Sequence, residues 1–218
     1  VAAVTHQSDA QADAQRLVVD DTLSALATLA RLNRDRSSAK VIALTGSQGK
    51  TSVKEMIGSI LKAKAPALIT AENLNNTIGV PLTLLRLEAR HEFAVIEMGA
   101  NGAGEIAASV AATKPDIALI TKASAAHIEG FGSLQGIVEA KGEIIDGLSA
   151  SGVAVLNAND PAVAAMGRHC PGDVTFFGLD ANQPVLATHR AQGKRVVYID
   201  KGDIVAQKGP QIFRIPLS

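Results

Sequence analysis

The chain has 218 residues, 47% of them apolar and only 3% aromatic, which suits one large domain, or one with an appendage, built on an aliphatic core. Its 21 basic and 21 acidic residues cancel, so no nucleic-acid or membrane surface is marked by charge. The single cysteine, Cys170, excludes an internal disulfide framework and fits a reducing compartment.

In chain order, the first 16 residues are polar and alanine-rich and lack a signal-peptide pattern. "LVV" at 17–19 reads as a short strand. Asp21 or Thr22 can cap a helix whose Leu23, Leu26, Leu29 and Leu32 repeat at helical spacing. "NRDRSSAK" then reads as a polar linker into a new domain. From residue 40, strand-like and helix-like runs alternate. Strands are expected at 41–45, 67–70, 93–98, 116–121, 153–157 and 173–177, and helices near 50–64, 79–87, 103–113, 133–148 and 160–168. The first, third and fourth of these strands are nearly continuous hydrophobics, as strands covered on both faces are. The expected class is α/β, a mostly parallel sheet flanked by helices. After residue 183, "PVLATHR", "RVVYID" and "QIFRIPL" read as short strands with turn pairs "QG" and "KG", a small antiparallel meander. No apolar run is long enough to span a bilayer, and a soluble cytoplasmic protein is expected.

Five stretches carry candidate chemistry. "TGSQGKTS" (45–52) follows a buried strand and opens a helix, the context of a phosphate loop. Gly46 and Gly49 let backbone N–H groups converge, the helix start adds its dipole, Lys50 supplies a cation and Thr51 a hydroxyl for magnesium. Only Ser47 and Gln48 separate the two glycines, where the familiar loop has four residues. Glu97, in "EMGA", ends the third strand at the ligand-binding edge of such sheets. An unpaired buried carboxylate is costly, and magnesium beside Thr51 would resolve it; a carboxylate emerging into solvent is the alternative. His127 lies in the glycine-containing loop "AAHIEGFGS" and reads as a cation or substrate ligand or as a solvated side chain. Lys141, between two glutamates in "EAKGEI", reads from its neighbours alone as part of a solvent-facing helix. Asn73, Asn75 and Asn76 in "AENLNNTIGVP" can recognise a polar ligand or simply make turns. Cys170 and His169 alone are too few for a metal site.

In register, "ALTGSQGKTSVKEM", "ENLNNTIGVPLTLLRL", "AVIEMGANGAGEIA", "AAHIEGFGSL" and "AKGEI" resemble the central ATPase domain of the Mur ligases, densely over roughly residues 17–178. That family and the related folylpolyglutamate synthetases use a compact G-x-x-G-K-[ST] loop, so the short spacing is a family feature. The resemblance implies that Gly46 to Ser52, with Ser47, Gln48, Gly49, Lys50 and Thr51 between them, cradle ATP phosphates. It implies that Thr51 and Glu97 hold one Mg2+, that His127 serves a second, and that Lys141 matches a lysine the family carbamylates. Asn73, Asn75 and Asn76 would face the muramyl-peptide substrate. Thr121 and Lys122 depart from the asparagine usual in that loop.

The implied reaction joins D-alanyl-D-alanine to UDP-MurNAc-tripeptide through an acyl phosphate. Other amino-acid-adding ligases of the superfamily, or a non-catalytic phosphate-loop module, are the alternatives. Residues 1–36 are expected to be the tail of an N-terminal UDP-binding domain with its linker. Residues 37–218 are expected to be the central ATP-binding domain, ending before its last helix, with no C-terminal domain. Such a piece is expected to be monomeric and not to ligate alone.

Overall fold

A computed structural model of the chain describes residues 3–6, 16–124 and 128–217. β1 (Ala3–His6) and β2 (Arg16–Val19) pair in parallel as a small ribbon. The second was expected from "LVV"; the first was not, because its stretch has no clear period. α1 (Thr22–Asp35) is capped by Asp21, whose carboxylate accepts from the Ser24 N–H at 2.5 Å.

The remaining elements follow in alternation: β3 (Lys40–Thr45), α2 (Lys50–Lys62), β4 (Ala67–Ile69), α3 (Gly79–Leu84), β5 (Phe93–Glu97), α4 (Glu105–Thr113), β6 (Ile117–Ile120), α5 (Ile128–Phe131), α6 (Leu134–Asp146), β7 (Val153–Asn157), α7 (Pro161–Met166), β8 (Asp173–Phe177), α8 (Pro184–Ala191), β9 (Arg195–Asp200), β10 (Asp203–Lys208) and β11 (Gln211–Pro216). Every strand and helix expected between 41 and 177 is present, with ends shifted by a few residues.

Among the described residues, nine strands form one sheet in the order β11-β10-β9-β8-β7-β6-β3-β5-β4. The strands from β4 to β9 are parallel, and β10 and β11 run antiparallel. For right-handed crossovers this strand order puts α2 on one face and the helices after it on the other. Val41, Ala43, Ile96, Ile120 and Leu156 are all 0% exposed in the core. β3 lies between β5 and β6, where the winding direction reverses, and a crevice opens there at the strands' C-terminal ends.

The α1 reading holds, with a docking face its period does not show, and one later strand reading needs correction. The leucine periodicity of α1 marks a helix but not its buried face, since Leu23 and Leu32 are 55% and 47% exposed. The helix docks instead through Ala30 and two polar side chains that satisfy carbonyls at the ends of other helices. The Asn33 amide donates to the Leu84 and Leu87 carbonyls at 2.8 and 2.9 Å, and Arg34 donates to the Thr113 carbonyl at 2.9 Å.

"PVLATHR" is helix α8, not a strand. Pro184 sits in its first turn, and the Gln183 side chain accepts from the Leu186 N–H at 2.9 Å. Leu186 and His189, three residues apart, face inward. "QG" therefore ends a helix, with Gly193 at φ +71°, and β9 joins β8 in parallel. The antiparallel meander is real but consists of β9, β10 and β11. Its first turn is the pair Lys201–Gly202, at φ +51° and +86°. No helix among the described residues is long and apolar enough to cross a membrane.

Candidate functional site

The stretch after β3 turns sharply at Gly46, φ +151°, and again at Gly49, φ +79°, before entering α2 at Lys50. The turn is braced by the strap 121–124 that follows β6. The Ser47 N–H donates to the Lys122 carbonyl at 2.8 Å. The Ser47 hydroxyl donates to the Ser124 carbonyl at 2.8 Å and accepts from the Ser124 N–H at 3.0 Å. The Thr121 hydroxyl donates to the Gln48 carbonyl at 2.6 Å, which gives the Thr121 departure a role, while the Lys122 side chain is exposed.

A Cβ on Gly46 would overlap the Thr121 hydroxyl and sit 3.1 Å from the Thr121 Cβ. Gly46→Ala is therefore expected to destabilise the chain by roughly 1–3 kcal/mol from overpacking alone, measured by urea unfolding.

The strap is itself anchored by two residues that sequence reasoning did not single out. The Asn157 amide donates to the Thr121 carbonyl at 2.8 Å. The Asp160 carboxylate accepts from the Ala123 N–H at 2.8 Å and from the Ala162 and Val163 N–H groups that begin α7, at 3.0 and 3.2 Å. The available signal was "NAND", a polar cluster at a strand's C-terminal tip.

Lys50 donates to the Gly46 carbonyl at 2.8 Å, folded over its own loop. Thr51, in the first turn of α2, donates to Glu97 Oε1 at 3.4 Å. The Asn75 amide donates to the same oxygen at 2.8 Å, and the Glu97 N–H donates to the Thr70 hydroxyl at 3.0 Å. Glu97 is 1% exposed, so the solvent-emerging alternative fails. Its Oε2 is buried with no hydrogen-bond partner among the described residues. A buried oxygen left so is costly. A hard cation between Glu97 and the Thr51 hydroxyl suits that donor set.

Lys141 is 5% exposed, against the solvent-facing reading. Burial, and then the charge of Lys50, lower its amine from the ordinary 10.5 to about 8. Gly46, Ser47, Lys50, Asn75, Asn76 and Lys141 converge on a cavity of about 150 Å³. Two lysines beside a helix start make it a site for an anion with several oxygens. A larger groove of about 640 Å³ beside α7 and α8 holds none of these residues.

The amine of Lys141 is neutral in the folded chain and protonated in the unfolded chain between about pH 8 and 10.5. The unfolded state then binds more protons, so stability rises with pH through that window, and below it the buried ammonium is a full cost. Lys141→Met is expected to abolish that rise and to stabilise the chain near neutral pH, as denaturant melts at pH 7 and 9.5 will report.

The three asparagines part company. Asn75 holds Glu97. Asn76 lines the cavity while its side-chain Oδ1 accepts from the Ile78 and Gly79 N–H groups at 3.2 and 2.8 Å. Asn73 is exposed and away from the cavity lining. Gln48, Gly49, Thr51 and Ser52 are exposed along the open side of the loop. His127 lies outside the described residues.

Residues 44–211 match the family model described as the Mur ligase middle domain. The chain is 53% identical over 148 residues, 68% of its length, to the UDP-N-acetylmuramoyl-tripeptide–D-alanyl-D-alanine ligase of Escherichia coli K12, and covers 33% of that protein. The MurF crystal structure from Acinetobacter baumannii superposes on the whole chain with a TM-score of 0.78 at 36% identity, and 47% of that chain is covered. The Thermotoga maritima MurF ligase, solved in complex with ADP, covers 98% of this chain at a TM-score of 0.77 and 28% identity, with 48% of its own length matched. The chain thus spans about a third of the length of the curated relatives it matches.

Proposed function

The chain belongs to the Mur ligase family through its middle domain, and on that premise we propose that it is the ATP-binding core of an enzyme joining D-alanyl-D-alanine to UDP-MurNAc-tripeptide. The naming of its relatives supports the substrate pair. The observation that carries the reading is the buried Glu97 oxygen without a partner among the described residues, on a carboxylate bonded to Thr51 and to the cavity-lining Asn75.

In this reading the N–H groups from Gln48 to Thr51 and the Lys50 ammonium bind the ATP phosphates and hold the terminal phosphoryl group in line with the tripeptide's carboxylate, while the Ser47 N–H stays bonded to the strap. That carboxylate attacks the terminal phosphorus, and ADP leaves. The amine of D-alanyl-D-alanine then attacks the acyl phosphate, phosphate departs, and the amine loses its proton. Thr51 and Glu97 would hold magnesium, which when bound neutralises charge on the phosphates. His127 and a carbamylated Lys141 would serve a second ion. The depressed amine of Lys141 favours that modification, because only the neutral amine adds to carbon dioxide, releasing a proton.

Asn75 and Asn76 border the cavity where the peptide substrate would enter, with Asn73 further out. Residues 1–36 would belong to the UDP-binding side and its linker, and 37–218 to the ATP-binding domain. The work would fall in the cytoplasm, and the enzyme would act as a monomer.

Coupled ADP release tests this. The complete ligase is expected to turn over with both substrates and to fail when diaminopimelate or lysine replaces the dipeptide. The 218-residue chain is expected to show no turnover alone. Turnover by the chain at an ordinary ligase rate, or a preference for single amino acids, would contradict the reading.

A further inference from the structure

α4 starts without a cap of its own. Its N-cap residue is Gly104, at φ +83°, and no side chain of its own first turn closes it. In a reciprocal cap, an N-cap side chain accepts from the N–H three residues on, and a carboxylate there accepts from the N-cap N–H. Gly104 and Ala107 hold these two positions and can supply neither group. One carboxylate from another helix makes both bonds. Glu143 Oε1 accepts from the Gly104 N–H at 2.7 Å, and Oε2 accepts from the Ala107 N–H at 2.8 Å. Both are short, charge-assisted bonds at the positive end of a helix.

Glu143 sits on α6, two residues after Lys141. The loop it reaches runs directly from Glu97 and lines the cavity with Gly99, Ala100 and Asn101. Glu105 ties that loop down, accepting from the Asn101 N–H at 3.1 Å. The carboxylate therefore joins the two walls of the site, the helix carrying Lys141 and the loop following Glu97. By contrast the exposed Glu139, on the other side of Lys141, accepts from the Gln135 amide at 2.9 Å and from no other group among the described residues.

We infer that Glu143 is a positioning residue that holds Lys141 at the cavity through the start of α4. The inference rests on the reading of Lys141 as part of the nucleotide site, and its test needs no ligation.

The native chain is treated at one fixed pH with limiting acetic anhydride. Acetylation of Lys141 is measured against the exposed Lys40 by peptide mass spectrometry, alongside amide hydrogen exchange at Gly104 and Ala107. Glu143→Ala is expected to raise relative labelling of Lys141 roughly tenfold, as loss of at least one charged hydrogen bond would, with faster exchange at both amides. Glu143→Gln retains one acceptor and is expected to fall between, and it carries the test if the alanine variant does not fold. Faster exchange with unchanged Lys141 labelling in the folded variant would overturn the inference, since Glu143 would then only cap α4. ADP affinity of Lys141→Met reports separately on the nucleotide-site reading.

Discussion

Lys50→Ala is expected to lower ADP formation by the complete ligase roughly 10²–10³-fold, the size of effect seen when one preorganised electrostatic donor is removed from a reacting centre. The same change should barely alter stability. The only hydrogen bond that the ammonium makes among the described residues is to the Gly46 carbonyl, within its own loop, a bond worth about 1 kcal/mol net. The ammonium also helps depress the amine of Lys141, so the variant should let that amine move back toward its ordinary value. Steady-state ADP release and a thermal melt of the same preparation separate the two effects. A large fall in melting temperature with turnover preserved would assign Lys50 to the fold instead.

Glu97→Gln is expected to move stability and function in opposite directions. The carboxylate is buried, with Oε1 bonded to Asn75 and Thr51 and Oε2 unpartnered among the described residues. A neutral amide keeps an acceptor for Asn75 and removes a buried charge, which is the costlier group to bury. The metal-free variant should therefore melt higher, by roughly 2–4 °C for each kcal/mol gained in a chain of this size. Its affinity for magnesium with nucleotide should fall by roughly 10²-fold or more, exceeding what loss of an outer-shell partner costs. Melts in EDTA and in magnesium with ADP read both effects. A variant that melts lower in EDTA yet keeps the magnesium–ADP shift would show that Glu97 serves packing alone.

Much of this was legible because the parallel strands are covered on both faces. Continuous runs such as "VIALT" and "FAVIE" admit few other readings, and the loop between "VIALT" and α2 announces itself by two glycines, a lysine and a threonine. What was not legible depends on contacts distant in sequence. Lys141 has glutamates on both sides and looks solvated; its burial comes from α6 closing over the cavity. Leu23 and Leu32 keep helical time but stay outside, because Asn33 and Arg34 dock α1 by bonding carbonyls of α3 and α4, a match no local period encodes. In "PVLATHR" the short alternation hid a two-turn helix whose true signal was the Gln183–Pro184 start. Asn157 and Asp160 brace the phosphate loop only through the strap 121–124, so their part is visible only once β6 and β7 lie side by side.

The most direct test of the nucleotide site is diffraction from crystals of the chain soaked with magnesium and a non-hydrolysable ATP analogue. The expected density places the terminal phosphates against residues 46–51, with a metal about 2.1 Å from the Thr51 hydroxyl and from Glu97, and with extra density on the Lys141 amine if it is carbamylated. An analogue bound elsewhere, or phosphates on the loop with Thr51 and Glu97 untouched by metal, would contradict the account.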